Sequence, residues 1–298
     1  MNELRHFIDP SEEGWQIHRI ALTRLRMSYG QFKQAKFQGE ILLDGLPAFS
    51  NSRVLSGQTL CIRTPLPSAP LPLPYSLPLS LPYQDADFCI IDKPAPLSST
   101  SSPRKNSLTL ENALYAALDC PKNFLYRPVN RLDKGTSGLM LAAFSAHAQQ
   151  RLQTLLHTPA FLREYLAVCE GHLPEKAGLI DRPISKADGA TIRREIHPHG
   201  KPAQTHYRVL QETENRSLVL LRLETGRTHQ IRVHLQSLGC PVTGDFLYGS
   251  ELSALPGRFA LHSHRITLLH PFTDAPLVVE SPLPQELQTL LKSPVTGS

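Results

Sequence analysis

The sequence predicts an α+β protein whose larger part is built on a mixed, mostly antiparallel sheet, with a small basic α/β unit in front of it. Three observations carry that prediction. After residue 83, short strand-like runs outnumber helical ones and follow one another through turns, as in a sheet of hairpins. Seven prolines from Pro65 to Pro82 divide the chain early. Between Glu13 and Glu40 stand five basic residues and no acidic one.

The totals bound the class. The chain has 298 residues, 41% of them hydrophobic and 19% charged, enough for two domains with cores of their own. A net charge of +5 permits an anionic partner such as nucleic acid without demanding one. The five cysteines are far apart with no C-x-x-C pair, which reads as reduced thiols of a cytoplasmic protein. The start, MNELRHFIDPSEEG, is polar and unlike a signal peptide, and no window approaches the ~18 apolar residues that span a bilayer. A cytoplasmic chain without a membrane partner is expected.

Residues 1–64 form the first unit. Ile17, Ile20, Ala21 and Leu25 share a helical face. Ser28 and Gln31 make a capping box that opens a second helix, with Phe32 and Ala35 inward. ILL and LPAF flank Asp44-Gly45, a hairpin signal, and QTLCIR supplies a closing strand. Residues 65–82 suit neither helix nor central strand. At ~3.1 Å per residue, a polyproline II linker there could separate two bodies by roughly 55 Å.

Residues 83–298 read as one domain. FCIID, LMLAAFS, EYLAVCE, THYRVLQE, SLVLLRLET, RFALHSHRITLLH and PLVVES suit strands. LTLENALYAAL, HAQQRLQTLLH, RTHQIRVHLQSLG and PQELQTLLK suit helices. No Walker loop or G-x-G-x-x-G points to a nucleotide cofactor.

Three segments carry chemistry. RPVNRLDKGTSGLMLAA (127–143) is a polar, glycine-containing turn feeding an apolar strand, which sets Asp133 on a loop held by rigid structure. REYLAVCEG (163–171) is a strand with Tyr165 and Ala167 on one face. In TGRTHQIRVHLQSLGCPVTGD (225–245), Ile231, Leu235 and Leu238 face inward while Arg227, His229, Arg232 and His234 crowd the other faces. Each has an ordinary reading: a loop aspartate caps a turn, a strand tyrosine packs, and a basic face is solvated.

Together they are specific. RLDKGTSG, EYLAVCEG, GKPAQTHYRVL, TGRTHQIRVHL with GDFLYG, and LHSHRITLLHPFT resemble, in order and spacing, the RluA-type pseudouridine synthases. The resemblance spans residues 84–290. The helix, basic helix and hairpin in front resemble the S4 RNA-binding module, which points to the branch acting on large-subunit ribosomal RNA. The resemblance implies the pseudouridine synthase fold, with Asp133 as the essential aspartate. It makes Tyr165 the active-site tyrosine that stacks on the target base, and Arg232 the basic partner of the aspartate. Arg131 would hold the target nucleotide out of its stack. Arg227 and His229 in the cleft, and Arg19, Arg24, Arg26, Lys33 and Lys36 in the front unit, are the expected RNA contacts.

Those roles fit the reaction. Uridine becomes pseudouridine when C1′–N1 breaks, the base turns and C1′–C5 forms, so no redox cofactor or metal is needed and none is expected. A carboxylate must attack C1′ or take the C2′ proton, and residue types leave both routes open. A nearby guanidinium favours the ionised carboxylate. An aromatic platform holds the detached base, and the uridine must leave its stack first, which favours loops and single strands.

Three positions depart from the family pattern. Asn130 stands where a histidine is usual, Arg163 where a lysine is usual, and LSSTSS (97–102) replaces a stretch that often holds His-Pro. The first points to altered loop packing or RNA contact, the last to altered RNA specificity. His197, His199, His262 and His264 lack the companions of a metal site. A glycosidase would want two carboxylates flanking the bond, and no second acid accompanies Asp133 in the motifs. The alternative from another class is a non-catalytic RNA-binding or ribosome-assembly factor, which would need none of Asp133, Tyr165 and Arg232. Ribosomal RNA is the first candidate substrate and transfer RNA the second. The motifs complete one site in one chain, so a monomer is expected.

Overall fold

The protein is described by a computed structural model covering residues 2–65, 70–101, 107–156 and 158–292. In the first unit, β1 (Asn2–Phe7), α1 (Ile17–Thr23), α2 (Tyr29–Gln38), β2 (Glu40–Leu43), β3 (Leu46–Pro47) and β4 (Thr59–Thr64) follow in order. The strands make an antiparallel sheet in the order β1-β4-β2-β3. Ser28 caps α2 as expected, its side chain accepting from the Gln31 N–H while the Gln31 side chain accepts from Ser28 N–H. Asp44 and Gly45 take positive φ in the hairpin turn. Ile17, Ile20, Ala21, Phe32 and Ala35 close over Ile41, Leu60 and Ile62 in a core separate from the rest of the protein. The polar amino terminus, which the sequence leaves unassigned, is strand β1, recruited by pairing with β4 along its whole length.

The second unit contains β5 (Ser80–Gln84), β6 (Phe88–Lys93), α3 (Leu110–Ala117), β7 (Arg127–Pro128), β8 (Ser137–Ala143), α4 (Ala146–Leu155) and β9 (Phe161–Glu170). It continues through β10 (Ala177–Asp181), β11 (Ile184–Lys186), β12 (Arg194–Ile196), β13 (Gln204–Glu212) and β14 (Arg216–Leu223). α5 (Gln230–Gln236), β15 (Leu261–Leu269), β16 (Pro276–Glu280) and α6 (Gln285–Thr289) complete it. One large sheet runs β10-β13-β14-β9-β15-β8-β6-β5, with β16 beside β15 and β7 beside β8, while β11 and β12 form a separate two-stranded arm. Among the described residues only β8 and β15 pair in parallel, so the sheet is mixed and mostly antiparallel.

Both faces of this sheet are covered. Along β8 every residue is buried, with Leu139, Leu141 and Ala143 in one core and Met140 and Ala142 in the other. β6 alternates likewise, Phe88 and Ile90 against Cys89 and Ile91. α4 covers the first face through Ala148 and Leu152. α3, α5 and α6 cover the second through Leu110, Leu114, Ile231, Leu235 and Leu287. Tyr165 and Leu132 belong to that second face, so the loop before β8 and strand β9 meet on the side of α5.

The proline-rich stretch differs from the expected spacer. Residues 66–69 lie outside the described part. β5 begins at Ser80, inside the stretch read as linker, and Tyr75, Leu77, Leu79 and Leu81 pack on the core of the second unit. Asn112 Nδ2 donates to Leu73 O and Asn112 O accepts from Tyr75 N–H. Alternating leucines bury apolar area while prolines keep the segment extended, so most of it is strapped to the domain. Among the described residues no helix is long and apolar enough to cross a membrane.

At the parallel junction Gly138 has φ +100°, and a β-carbon there would lie 2.2 Å from Ser263 O. Gly138→Ala is expected to cost ~2–5 kcal/mol through overpacking and backbone strain. Thermal denaturation should show a melting point lower by roughly 5–15 °C. An unchanged melting point would refute the close approach.

Candidate active site

The loop between β7 and β8 is fixed before its functional side chain is considered. Ser99 Oγ donates to Leu132 O at 2.7 Å, and Tyr126 Oη donates to Ser99 O at 2.6 Å. Leu97 N–H donates to Lys134 O, and Thr136 N–H closes a turn on Asp133 O. The Lys93 ammonium, fully buried at the end of β6, donates to Pro94 O and Leu97 O and reaches Lys134 O at 3.4 Å. Burial and the nearby charge of Arg258 push Lys93 down to about 7, against the pull of Asp133. Part of the departing segment 97–102, whose last residue lies outside the described part, thus supports this loop, because Ser99 grips the residue next to Asp133. Asn130 is buried and its Oδ1 accepts from Leu141 N–H, a packing role between the loop and β8.

Asp133 meets Arg232 of α5 at 2.8 Å, through Oδ2 and Nη1. Arg232 is 3% exposed, and its other edge is gripped by Asp245, with Nε to Oδ2 at 2.6 Å and Nη2 to Oδ1 at 2.8 Å. Asp245 Oδ1 also accepts from the backbone N–H of Leu247 and Tyr248. The guanidinium lies 4.1 Å from the Phe259 ring and 4.9 Å from the Tyr248 ring. Burial disfavours its charge, but Asp245 and Asp133 more than offset that, and Arg232 titrates above an ordinary arginine. The arrangement is a permanently charged, rigid partner for a half-exposed carboxylate.

The sequence reading needs two corrections here. It sets Arg232 and His234 on polar faces of an amphipathic helix, whereas α5 is buried from Gln230 to Leu235. His234 is fully buried between Thr205 Oγ1 and Arg182 O, a structural role. It also finds no second acid with Asp133. Asp245 is that acid, but it is wholly buried and committed to Arg232, so it cannot flank a glycosidic bond. Tyr248, Lys93 and Ser99 are also missed. Asp-Lys-Pro closing the apolar run of β6 is the one sequence signal for Lys93.

A cavity of about 600 Å³ opens over Asp133, walled by Tyr165, Arg131, Arg163, Arg227, His229 and Arg232. Tyr165, on β9 opposite Leu221 and Ser263, is largely buried. Arg131 and Arg227 are exposed at the cavity, Arg227 steadied by Pro202 O at 2.9 Å. The fold therefore unites six expected residues from three distant segments. The remaining five, Arg19, Arg24, Arg26, Lys33 and Lys36, are exposed on the first unit and line no part of this cavity. Arg24 is ion-paired with buried Glu12 at 2.5 Å, an acid just before the acid-free stretch, and Arg19 stacks on Trp15 at 3.6 Å. Among the described residues no cluster suited to a metal ion occurs.

Comparison with known proteins agrees with this geometry. Residues 87–237 match the family model for RNA pseudouridylate synthase. An RNA pseudouridine synthase of Bacillus subtilis (strain 168) is 33% identical over 293 residues, covering 97% of each chain. Ribosomal large subunit pseudouridine synthase D of Escherichia coli (strain K12) is 35% identical over 257 residues, 80% of this chain and 78% of that one. Among solved structures, human RNA pseudouridylate synthase domain containing 1 superposes with a TM-score of 0.57 at 29% identity, covering 69% of this chain and 83% of that one. The family-model match over half of the chain and likeness to these relatives over most of it lead to one conclusion: this chain belongs to the RluA-type family of RNA pseudouridine synthases.

Proposed function

We propose that the protein isomerises specific uridines of structured RNA to pseudouridine with Asp133 as the catalytic carboxylate, ribosomal RNA being the first candidate substrate and transfer RNA the second. The observation that carries this reading is the 2.8 Å pair of Asp133 and Arg232 at the wall of a cavity also lined by Tyr165. Asp133 attacks C1′ or takes the C2′ proton, and Arg232 keeps its carboxylate ionised once RNA excludes water. Tyr165 supplies the face against which the free base stacks. Arg131 holds the extruded nucleotide, and Arg227 with His229 completes the RNA-facing wall. The chemistry uses no cofactor or metal.

The test is tritium release from [5-³H]uridine-labelled RNA, with unmodified ribosomal and transfer RNA supplied separately. Release from one pool identifies the substrate class. Tight binding with no release from either would favour the alternative, a non-catalytic RNA-binding or ribosome-assembly factor.

The S4-like first unit is proposed to add RNA affinity through Arg19, Arg26, Lys33 and Lys36, with Arg24 contributing less because Glu12 offsets it. Deleting residues 1–64 is expected to weaken RNA binding by about tenfold or more while the chemical step survives. The slope of log K against log salt should become shallower by ~0.7–0.9 for each phosphate that the shortened chain leaves unneutralised. Equal binding and modification by the truncated chain would remove the role given to that unit.

A further inference from the structure

His229 immediately precedes α5 with φ +59° and ψ 18°, a left-handed conformation uncommon for a residue with a side chain. Its Nδ1 lies 2.8 Å from Tyr248 Oη. That hydroxyl accepts the Arg194 backbone N–H at 2.8 Å, which leaves its own proton free to be given to Nδ1. With the hydroxyl donating to Nδ1, the neutral ring carries its proton on Nε2. Nε2 faces Asp133 Oδ2 at 3.8 Å, too long for a hydrogen bond, and no other acceptor among the described residues takes it. Burial lowers the histidine's affinity for a second proton, with Asp133 opposing that effect, so the neutral form is favoured. In that tautomer the cavity wall holds a neutral N–H donor without an acceptor among the described residues, beside the Asp133 carboxylate.

We infer that His229 donates this Nε2–H to the uracil carbonyl beside the glycosidic bond, O2 as C1′–N1 breaks and O4 as C1′–C5 forms. The inference rests on pseudouridine synthesis at this site. Atoms next to C1′ are what a group 3.8 Å from the Asp133 carboxylate can reach, and O2 is carried by C2, the atom bonded to N1. Cleavage leaves the bonding pair on uracil, spread over N1 and O2, and a preplaced donor there is worth most as that charge develops. The base then makes a half-turn about its N3–C6 axis, which exchanges N1 with C5 and O2 with O4. The carbonyl beside the new bond therefore arrives where the old one lay, and one donor serves both ends. C5 bonds to C1′ and gives up its proton while N1 takes one up, so the sum is isomerisation and His229 keeps its own proton. The other cavity donors suit different work: Arg232 is engaged by Asp133 and Asp245, and Arg131 and Arg227 are exposed cations at the cavity.

The test is a two-by-two cycle: wild type and His229→Asn, each acting on transcripts made with uridine or with 2-thiouridine. Asparagine tolerates the left-handed backbone but is too short to reach the base. Single-turnover conversion is read by chromatography of the nucleosides, and RNA affinity and melting temperature are measured alongside. Effects of global thiolation on RNA folding are common to both enzymes and cancel. The expected result is a ~10²–10³-fold loss of single-turnover rate for His229→Asn on uridine, well beyond any loss of RNA affinity, shrinking below about tenfold on 2-thiouridine, whose sulfur is a weak acceptor. Tyr248→Phe, which frees the tautomer, should lose about tenfold on uridine and carries the test if His229→Asn does not fold. Equal losses on both transcripts, or none on uridine, overturn the role of His229. Absence of pseudouridine in every wild-type reaction overturns the reading of the site itself.

Discussion

Asp133→Asn is expected to abolish turnover, by about 10⁴-fold or more, while RNA affinity stays within roughly twofold. The amide keeps the volume and accepts one hydrogen bond, so the loop need not move: its shape is set by Ser99, Lys93 and the Leu97 bond to Lys134 O. What the amide lacks is negative charge, and both routes open to Asp133 need it, whether as nucleophile toward C1′ or as base toward C2′–H. Arg232 loses the charge of its partner but stays paired with Asp245, so the change is confined to chemistry. Tritium release and filter binding with the same RNA check both halves. Retained release would remove Asp133 from the mechanism, and lost binding would mean that it anchors RNA.

Asp245→Ala is expected to do comparable damage by another route. It strips two of the three charged hydrogen bonds from a guanidinium that is 3% exposed, and frees the backbone N–H groups of Leu247 and Tyr248. Breaking a buried pair from one side costs ~3–5 kcal/mol, because the remaining charge has no solvent to turn to. Melting should fall by roughly 6–20 °C. In protein that remains folded, Arg232 is no longer held at Asp133, and single-turnover rates should drop by about 10²-fold or more. Asp245→Asn, which keeps volume and one acceptor, should fall between wild type and alanine in both readouts. Unchanged melting and unchanged rates would show that Asp133 alone suffices to fix Arg232.

These two carboxylates also mark how much of the site was legible in the chain. Asp133 sits in a motif whose residue types match a known chemistry, and Tyr165 and Arg232 share that property. Asp245 closes the same segment as Arg232 and begins the GDFLYG motif with Gly244, but its residue type alone gives it no role. Nothing in linear spacing says which aspartate faces the cavity and which is enclosed behind the arginine. Arg232 and His234 mislead for a related reason: a charged residue in a helix normally signals solvent, and only burial on every side of α5 reverses that reading. Tyr248 and Arg194, 54 residues apart in sequence, meet only when the β11–β12 arm folds against the loop after α5, and Tyr248 is the partner of His229.

By itself the sequence determined what local physics controls. It set the capping box of α2 at Ser28 and Gln31, the Asp44-Gly45 hairpin, and the apolar runs of β6, β8, β9, β13, β14 and β15. Period and turn chemistry act over a few residues, so such elements can be read in isolation. Through the linear order of its motifs the sequence also pointed to the family. The tertiary structure decided what pairing and burial create. β1, β5, β7, β10, β11 and β12 lack a persuasive apolar period and become strands because a neighbouring strand offers unpaired backbone groups. The same long-range closure gave Arg232 its second carboxylate, strapped the proline-rich segment to the domain, and turned His229 toward Asp133. Those outcomes depend on residues tens of positions apart sharing a space from which water is excluded, and no local pattern encodes that.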